Sequence, residues 1–488
     1  MRRGGGITLR SIEVARRAVF FRFGVDGLTF STTYWYEDVD FHDLAAQCSE
    51  EDVQRLVFHS ALFEINKLCS LRPDRIDLGD YARFLTPELE ELWRTVFRKV
   101  WAQWRYEHDD PSYDGPGFSG RARGVAGALP IRPARASPGR PEVDTLAFCG
   151  GGKDSLVAMR LLERTATPYD AFVYSSSIYG RAEPQHARVD ALVQRCRPRR
   201  RLRQWVFDDF LDSPVLELHP ELGLTTLAAA ETPSSVFGAL PVALQHGYRG
   251  LCLCHERSAD MGQVIWPATG EDVNHQWGKS YEAESLLNRY IQRSLLEDVR
   301  YYSLLKPIYD VVVFGLTRRH LEDVPFTHSC NVRKPWCLEC PKCLYVWLGF
   351  AAFLPRERVR ATFGTDALLE SPSRVPAFAQ LLGVRGARPF ECIGHSDEVK
   401  IYLAACAAKG YRGPVIDLYF RHRPAPSELM PLVERYLGVD LDRSAIPSGI
   451  RGRVGAELAE AARETRDYLR GLLETNGTTR ADDQPVPS

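Results

Sequence analysis

The sequence predicts an α/β protein built on a parallel sheet with helices on both faces. Two observations lead to this prediction: short apolar runs alternate with helix-period segments after residue 145, and a glycine-rich turn follows the first apolar run. Such alternation is typical of parallel sheets, whose ligands bind at the carboxyl ends of the strands. The predicted strands are 145–149, 170–175, 203–207, 250–254 and 310–315, and the predicted helices include 155–165, 184–195, 234–246 and 281–296.

The glycine-rich turn is the most informative segment of the chain. Residues 145–164 read TLAFCGGGKDSLVAMRLLER, which indicates a strand, a turn and the start of a helix. Glycines allow the backbone to approach an anion closely, and a helix N-terminus offers unpaired N–H groups to a phosphate. Lys153 adds a positive charge, and Ser155 can cap the helix or bind a phosphate oxygen. The predicted nucleotide-binding residues are Gly150, Gly151, Gly152, Lys153, Asp154 and Ser155, and Lys153 and Asp154 are also predicted to be catalytic.

Asp154 is unexpected beside a polyanion, and its presence is explained if the carboxylate orients Mg²⁺ or the loop itself. The loop is not a Walker loop, which has four residues between its first glycine and Gly-Lys-Ser/Thr. It resembles the Ser-Gly-Gly-x-Asp-Ser signature of the PP-loop ATP pyrophosphatases, with Gly150 in the place of the usual serine. That resemblance implies an adenine nucleotide alpha hydrolase-like fold and cleavage of ATP between the α and β phosphates. A glycine turn without a ligand is the alternative.

Length and composition narrow the class of protein. The 488 residues are enough for two or three domains, and 44% hydrophobic residues is ordinary for a globular chain. The net charge of −1 argues against broad nucleic-acid binding, and no apolar run reaches the length of a membrane span. Because the N-terminus also lacks the apolar stretch of a signal peptide, we expect a cytoplasmic protein with reduced cysteines.

Residue patterns outside the glycine loop also predict secondary structure and domain organisation. Aromatic and β-branched residues in 17–41 predict a hairpin, and Ser49 with Asp52 and Thr86 with Pro87 predict the starts of two helices. The predicted organisation is an N-terminal α+β domain at 1–115, a Gly-, Pro- and Arg-rich linker at 116–144, an ATP-binding domain at 145–325, a Cys-rich and helical region at 326–470 and a disordered tail at 471–488.

Four cysteines lie close together between residues 330 and 343. Four thiolates satisfy tetrahedral Zn²⁺, and Cys-x2-Cys pairs present two sulfurs to one ion. Such a run can also hold an iron–sulfur cluster, and buried thiols without metal are a third possibility. We expect structural Zn²⁺, because no redox step is implied and four cysteines leave no open coordination position. The predicted ligands are Cys330, Cys337, Cys340 and Cys343.

Two polar segments, 252–260 after a strand and 269–280 before a helix, are predicted to carry the substrate-binding and proton-transfer groups. Cysteine and histidine exchange protons near neutral pH, so both types are candidates for general acid or base. For each residue a core position or a solvated loop is the alternative. A third segment, 388–394, looks like a turn without assignable chemistry. The candidates are Cys149, Cys252, Cys254, His255 and His275 for proton transfer, Arg257, Asn274, Trp277 and Lys279 for substrate binding, and Arg318, Arg319 and Arg333 for a carboxylate.

Five segments taken together resemble one family, the UDP-N-acetylmuramoyl-L-alanyl-L-glutamate epimerases of peptidoglycan synthesis. The resemblance implies an ATP- and Mg²⁺-dependent inversion of the terminal L-glutamate to D-glutamate, with AMP and diphosphate as products. It also implies functional coupling to the ligase that adds L-glutamate to UDP-muramoyl-L-alanine. The segments are FEINKLCSL at 63–71, CGGGKDSL at 149–156, EDVNHQWGKSYEAE at 271–284, the cysteine segment at 330–343 and RPFECIG at 388–394.

The implied chemistry explains why ATP is needed. A free carboxylate makes the neighbouring Cα–H a poor acid, because deprotonation places a second negative charge beside the first; adenylation removes that obstacle. Two alternatives stay open: a carboxylate-activating enzyme like the 7-cyano-7-deazaguanine synthases, which have a similar cysteine arrangement, and a module that binds ATP without cleaving it. A sulfur-inserting tRNA enzyme is disfavoured by the near-zero net charge.

Overall fold

A ten-stranded sheet runs through the molecule, and a separate two-stranded sheet accompanies it. The computed structural model describes residues 5–25, 27–121, 124, 129–132, 143–210, 212–218 and 230–477. The strands are β1 (Gly6–Ala15), β2 (Ala18–Val25), β3 (Leu28–Tyr36), β4 (Arg75–Asp77), β5 (Gly117–Ser119), β6 (Thr145–Phe148), β7 (Asp170–Ser176), β8 (Arg201–Asp208), β9 (Gly250–Leu253), β10 (Val264–Ile265), β11 (Asp272–Val273) and β12 (Arg300–Ser303).

The large sheet has the strand order β12-β9-β6-β7-β8-β3-β2-β1-β4-β5. The pairs from β12 to β8 are parallel, the pairs from β8 to β1 are antiparallel, and β4 and β5 continue in parallel beyond β1. The predicted α/β class is therefore confirmed, with a mostly parallel sheet. The pairing of β3 with β8 joins the N-terminal region and the segment after residue 145 into one sheet.

Helices cover the two faces of this sheet. Along β6 the buried side chains alternate, because Leu146 and Phe148 belong to one hydrophobic cluster and Ala147 to the other. The helices are α1 (Phe41–Gln47), α2 (Glu50–Leu68), α3 (Pro87–Val100), α4 (Ala102–Glu107), α5 (Lys153–Arg164), α6 (Ala182–Val193), α7 (Val215–Leu218), α8 (Glu231–His246), α9 (Tyr281–Ser294), α10 (Asp310–Thr317), α11 (Pro341–Phe353), α12 (Arg356–Phe363), α13 (Val375–Leu381), α14 (Ser396–Ala408), α15 (Pro414–His422), α16 (Pro426–Tyr436) and α17 (Ser448–Gly477).

Several predicted elements are confirmed. The strand, turn and helix at 145–164 are β6, the glycine loop and α5, and the predicted hairpin is β2 with β3. The Ser49 hydroxyl accepts a hydrogen bond from the backbone N–H of Asp52 at 3.0 Å, and the Thr86 hydroxyl caps α3 in the same way. Side-chain caps of this kind satisfy N–H groups that a helix cannot pair internally, which explains why both helices start there.

The strand predicted at 310–315 is wrong, because this segment forms α10, while the edge strand of the sheet is β12. The three consecutive valines favour a strand by local propensity. However, α10 is buried on all sides, so polar residues do not interrupt the run, and periodicity cannot separate a buried helix from a buried strand.

The last helix, α17, extends to Gly477 and so enters the segment predicted as a disordered tail at 471–488. Leu472 and Leu473 pack against the core and explain why the helix continues. Residues 478–488 of that tail lie outside the described residues, as do residues 122–123, 125–128 and 133–142 of the predicted linker. Within the described ranges, no helix combines the length and the apolar character that crossing a bilayer requires.

We predict that replacing Phe237, in the core between α2 and α8, lowers the stability of the protein. Phe237 is fully buried, and its ring stacks on Phe63 with the centroids 4.8 Å apart. Phe237→Ala should lower the free energy of unfolding by about 3–5 kcal/mol, measured by urea unfolding followed by fluorescence. Phe207→Ala is the control, because this ring is 47% exposed, and it should cost less than about 1 kcal/mol. Equal losses in both variants would contradict the described packing.

Candidate active site

The glycine loop connects β6 to α5 at the carboxyl end of the parallel strands. Gly151 has a φ of +85°, a backbone conformation that favours glycine, and its carbonyl accepts a hydrogen bond from the backbone N–H of His328 at 2.8 Å. The N–H of Gly150 donates to the Ser155 hydroxyl at 3.1 Å. Gly152, which has no side chain, is the N-cap residue of α5. Ser155 therefore holds the loop closed rather than capping the helix.

Three carboxylates converge next to this loop. Asp154 lies in the first turn of α5, Glu256 follows β9, and Asp310 opens α10; their ligand oxygens all lie within 4.8 Å of one another. The ammonium of the buried Lys153 is 2.6 Å from an oxygen of Asp154 and 2.6 Å from an oxygen of Asp310. Oxygen ligands of this kind suit Mg²⁺, so the cluster fits the cation predicted for Asp154.

The electrostatics of the carboxylates support the same assignment. Burial, together with the charges of Asp310 and Asp154, raises the pKa of Glu256 to about 7, although Lys153 opposes the shift. Burial also raises the pKa of Asp310 to about 7, again against the attraction of Lys153. One ammonium does not balance three crowded carboxylates, and a divalent cation would favour their charged forms.

The loop and the carboxylates line one cavity of about 260 Å³. Four lysines line it, which makes it suitable for a polyanionic ligand. His328 also lines the cavity, is 3% exposed, and has no hydrogen-bond partner at either ring nitrogen among the described residues. Further lining residues are Tyr174, Tyr179, Glu231, Cys254, His255, Lys279, Lys334, Lys342 and Cys392.

The structure brings several sequence-predicted residues together in this cavity: Lys153, Asp154, Cys254, His255 and Lys279. The Cys254 sulfur is 3.7 Å from the Ser155 hydroxyl. Burial raises the pKa of Cys254 to about 12. His255 contacts the Ser303 hydroxyl at 3.3 Å; burial and the nearby lysines lower its pKa well below the usual range, so its imidazole is neutral.

The predicted substrate-binding residues Asn274, Trp277 and Arg257 lie outside the cavity lining and contact protein groups instead. The Asn274 amide donates to the carbonyl of Ala259 at 2.9 Å, and the indole N–H of Trp277 donates to Glu282 at 2.7 Å. The guanidinium of Arg257 is 3.5 Å from Asp440 and lies over the ring of Tyr309. These contacts order the loops on which the cavity residues lie.

The other sequence candidates also lie outside the lining. Cys149 and Cys252 are core residues, and burial raises the pKa of both thiols. Arg318 lies over the ring of Tyr468, and Arg319 pairs with glutamates of α17. Arg333 is exposed on the cysteine segment.

His275 lies outside the cavity lining but next to a residue that belongs to it. Its Nδ1 lies 2.6 Å from the side-chain carbonyl oxygen of Gln103. Its ring is close enough to Cys392, which does line the cavity, to lower the pKa of that thiol.

Glu256, Asp310 and Cys392 are not among the residues predicted from the sequence. The strand predicted at 310–315 places Asp310 at the opposite end of the sheet. Glu256 lies within the predicted polar segment 252–260 but is not one of its candidates. Cys392 lies in the turn-like segment 388–394, and only the density of polar residues there could have pointed to it.

The four clustered cysteines have the geometry of one tetrahedral ion. All four sulfurs lie within 4.8 Å of one another, with 3.9 Å between Cys330 and Cys340 and 3.7 Å between Cys337 and Cys343. Sulfurs bound at 2.3 Å to one tetrahedral Zn²⁺ are about 3.8 Å apart. The donor set and its spacing therefore fit Zn²⁺. The same segment supplies Lys334 and Lys342 to the cavity wall.

The fold and the site together define an α/β protein with a glycine loop, an acidic cluster and a lysine-rich cavity at the carboxyl ends of parallel strands. Two models of known protein domains match this chain. The model of the MurL N-terminal domain matches residues 234–304, and the model of the MurL C-terminal domain matches residues 325–421.

Three curated relatives carry the name UDP-N-acetyl-alpha-D-muramoyl-L-alanyl-L-glutamate epimerase. The relative from Salinispora tropica is 32% identical over 282 residues, which are 56% of this chain and 58% of the relative. The relative from a Micromonospora species is 30% identical over 57% of this chain and 61% of its own length. The relative from Xanthomonas oryzae pv. oryzae is 32% identical over 55% of this chain and 57% of its own length.

These alignments span somewhat under two thirds of each relative. Together with the two domain matches, they confirm the resemblance to the MurL epimerase family that the sequence motifs predicted.

We predict that Gly151 cannot be replaced without loss of stability. A Cβ at this position would lie 2.4 Å from a ring nitrogen of His328, and the positive φ adds backbone strain. Gly151→Ala should therefore destabilise the protein by on the order of 2 kcal/mol, measured as a lower thermal midpoint. Gly150→Ala is the matched control, because nothing lies within 4 Å of its added Cβ. A control that melts as early as Gly151→Ala would contradict the described loop.

Proposed function

We propose that this protein uses ATP and Mg²⁺ to epimerise the terminal L-glutamate of UDP-N-acetylmuramoyl-L-alanyl-L-glutamate to D-glutamate. The proposed products are the D-glutamyl epimer, AMP and diphosphate. The observation that carries the proposal is the convergence of Asp154, Glu256 and Asp310 beside the glycine loop, in a chain similar to proteins named for this epimerisation. The reaction would serve peptidoglycan synthesis, after the ligase that adds L-glutamate to UDP-muramoyl-L-alanine.

The cavity offers the groups that ATP phosphates require. Gly150 and Gly152 line the cavity at the N-terminus of α5, where their backbone would face the phosphates, and Lys153 contributes positive charge. Lys334 and Lys342 also line the cavity, and burial together with the charge of Lys342 lowers the pKa of Lys334 to about 8. Like charges placed this close favour an anion between them, and the unpartnered nitrogens of His328 add hydrogen-bonding capacity.

The acidic cluster is the proposed cation site. Asp154, Glu256 and Asp310 would hold Mg²⁺, which supplies electrostatic stabilisation to the phosphate oxygens when bound. Lys153 neutralises part of the cluster and fixes the side chains of Asp154 and Asp310. The chain therefore contributes positioning and charge neutralisation, which are the main requirements of a phosphoryl-transfer step.

The chemistry then follows from the proposed binding mode. The α-carboxylate of glutamate attacks the α-phosphorus of ATP, an O–P bond forms, and the bond to the β-phosphate oxygen breaks as diphosphate leaves. The acyl adenylate withdraws electrons from Cα, so that its proton can be removed and returned on the other face. Water then releases AMP and the epimerised substrate. ATP hydrolysis makes the overall inversion one-directional.

The cysteine cluster has a separate proposed role. Structural Zn²⁺ bound by Cys330, Cys337, Cys340 and Cys343 would order the segment that carries Lys334 and Lys342. A closed set of four thiolates leaves no position for substrate, so the metal would take no part in the chemistry.

We predict that wild-type protein with ATP, Mg²⁺ and the UDP-muramoyl dipeptide releases diphosphate and AMP and yields D-glutamate after acid hydrolysis. Asp154→Asn should reduce diphosphate release by about 10²-fold or more, because a proposed cation ligand loses its charge. Diphosphate release and the chirality of the glutamate are the measurements. Asp442→Asn is the matched control, because its side chain is 98% exposed, and it should keep full activity.

Other outcomes separate the competing functions. Full AMP formation by Asp154→Ala would contradict the loop assignment. Turnover of ATP with a deazaguanine carboxylic acid and ammonium, but not with the muramoyl dipeptide, would favour a 7-cyano-7-deazaguanine synthase-like enzyme. Tight ATP binding without diphosphate release from either substrate would indicate a binding module.

We predict that purified protein contains roughly one zinc ion per chain, as four thiolates around one ion require. Cys337→Ser and Cys343→Ser should lose the ion and melt at a lower temperature, measured by elemental analysis and thermal unfolding. Cys48→Ser is the control, because this half-buried thiol lies outside the cluster and should leave the zinc content unchanged. Iron in place of zinc, or zinc retained in both cluster variants, would contradict the assignment.

A further inference from the structure

The turn between α13 and α14 places one thiol in the cavity at a defined position. Cys392 lines the cavity together with the glycine loop. Two hydrogen bonds fix the backbone beside it: the Gln276 amide donates to the carbonyl of Ile393 at 2.9 Å, and Arg388 donates to the carbonyl of Gly394 at 2.9 Å. The turn is therefore held in place by side chains from outside it, as a preorganised catalytic group requires.

Two hydrogen bonds from α4 fix the imidazole of His275, which lies beside this thiol. The Gln103 amide nitrogen donates to Glu107 at 2.8 Å, so its carbonyl oxygen faces Nδ1 of His275 at 2.6 Å. Since a carbonyl oxygen only accepts, Nδ1 must carry a proton, and Nε2 remains for the thiol of Cys392. In this tautomer Nε2 accepts a proton from the thiol, or as imidazolium donates to the thiolate.

The surrounding charges favour the thiolate. Burial opposes ionisation of Cys392, but the charge of Lys279, the hydrogen bond from His275 and the charge of Lys342 lower its pKa well below the usual value. Glu391, Tyr174 and Tyr179 also lie near the thiol; a charged Glu391 opposes the thiolate, and the two tyrosines are neutral.

The proposed reaction needs a base at Cα, and the groups already described have other tasks. The carboxylates crowd around Lys153 and the proposed cation, and Nδ1 of His255 is engaged with the Ser303 hydroxyl. The unpartnered nitrogens of the buried His328 indicate independently that a ligand fills this cavity, because buried polar atoms normally have partners.

We infer that Cys392 is the catalytic base that removes the Cα proton of the activated glutamate, with His275 as the residue that positions and ionises it. The inference rests on the proposed function and adds the identity of the proton acceptor. In the step, the Cα–H bond breaks, an S–H bond forms, and the electron pair moves into the activated carboxyl as an enolate. Water delivers a proton to the opposite face of Cα, and the resulting hydroxide takes the proton from the thiol, which restores the thiolate.

The test separates proton transfer from adenylation. In deuterated water, Cys392→Ala and Cys392→Ser should still release diphosphate with the muramoyl dipeptide, within about tenfold of wild type. Deuterium at Cα and D-glutamate should both fall by about 10²-fold or more, the usual contribution of a general base. Cys48→Ser, at a half-buried thiol outside the cavity, is the matched control and should retain both activities.

A second measurement does not depend on turnover. Alkylation of Cys392 in the otherwise native protein, followed by mass spectrometry, should be faster at mildly acidic pH than alkylation of Cys48, because the thiolate is the nucleophile. His275→Gln should move the pH midpoint of this alkylation upward, since an amide cannot carry the positive charge with which His275 lowers the pKa of the thiol.

The outcomes are distinct. Normal deuterium incorporation in Cys392→Ala would overturn the inference, and so would loss of diphosphate release together with exchange in both Cys392 variants. An alkylation midpoint unchanged by His275→Gln would overturn the role of His275. If wild-type protein releases no diphosphate, the proposed function fails, and the alkylation rates still decide whether Cys392 is held as a thiolate.

Discussion

The buried ammonium of Lys153 is the interaction on which the site depends. It lies 2.6 Å from carboxylate oxygens of both Asp154 and Asp310, and thereby joins the start of α5 to the start of α10. A buried charge is stable only when it is paired, and removal of one partner from such a pair typically costs about 3–5 kcal/mol. The glycine loop, the acidic cluster and the packing of α10 therefore form one unit, in which a local change affects all three.

The second determinant of the site is the convergence of distant segments on one edge of the sheet. The glycine loop follows β6, Glu256 follows β9, and Cys392 comes from a turn between α13 and α14. Parallel strands bring their carboxyl ends to the same edge, which explains why residues far apart in sequence share one cavity. The cysteine segment completes the wall from the C-terminal side, so the cavity belongs to no single segment of the chain.

Much of the parallel half of the fold could be predicted, because its signals are local. The strand, glycine turn and helix at 145–164 follow from residue types alone, and the Ser49 and Thr86 caps mark helix starts. The site was predictable only in part. Lys153 and Asp154 adjoin the glycines, but Asp310 required the correct assignment of α10, a valine-rich helix buried on all sides.

Cys392 is the clearest example of a site residue that the sequence alone does not predict. Nothing in its own segment points to a base, because Lys279 and His275, which lower the pKa of its thiol, come from the loop before α9, more than a hundred residues away. Such an environment arises only from tertiary packing, and pairwise spacing along the chain does not encode it. The same holds for His328, whose ring packs against Gly151 from a distant loop.

The continuous sheet has a consequence for how the chain can be divided. Strand β3 pairs with β8 along five residues, and the aromatic core under it combines side chains from both sides of residue 145. A fragment beginning at β6 would present β8 as a bare edge with unpaired backbone N–H and C=O groups, and such edges recruit other chains into aggregates. The N-terminal strands thus act as a protective cover for the parallel half, and excising them would be expected to yield insoluble material rather than a minimal enzyme.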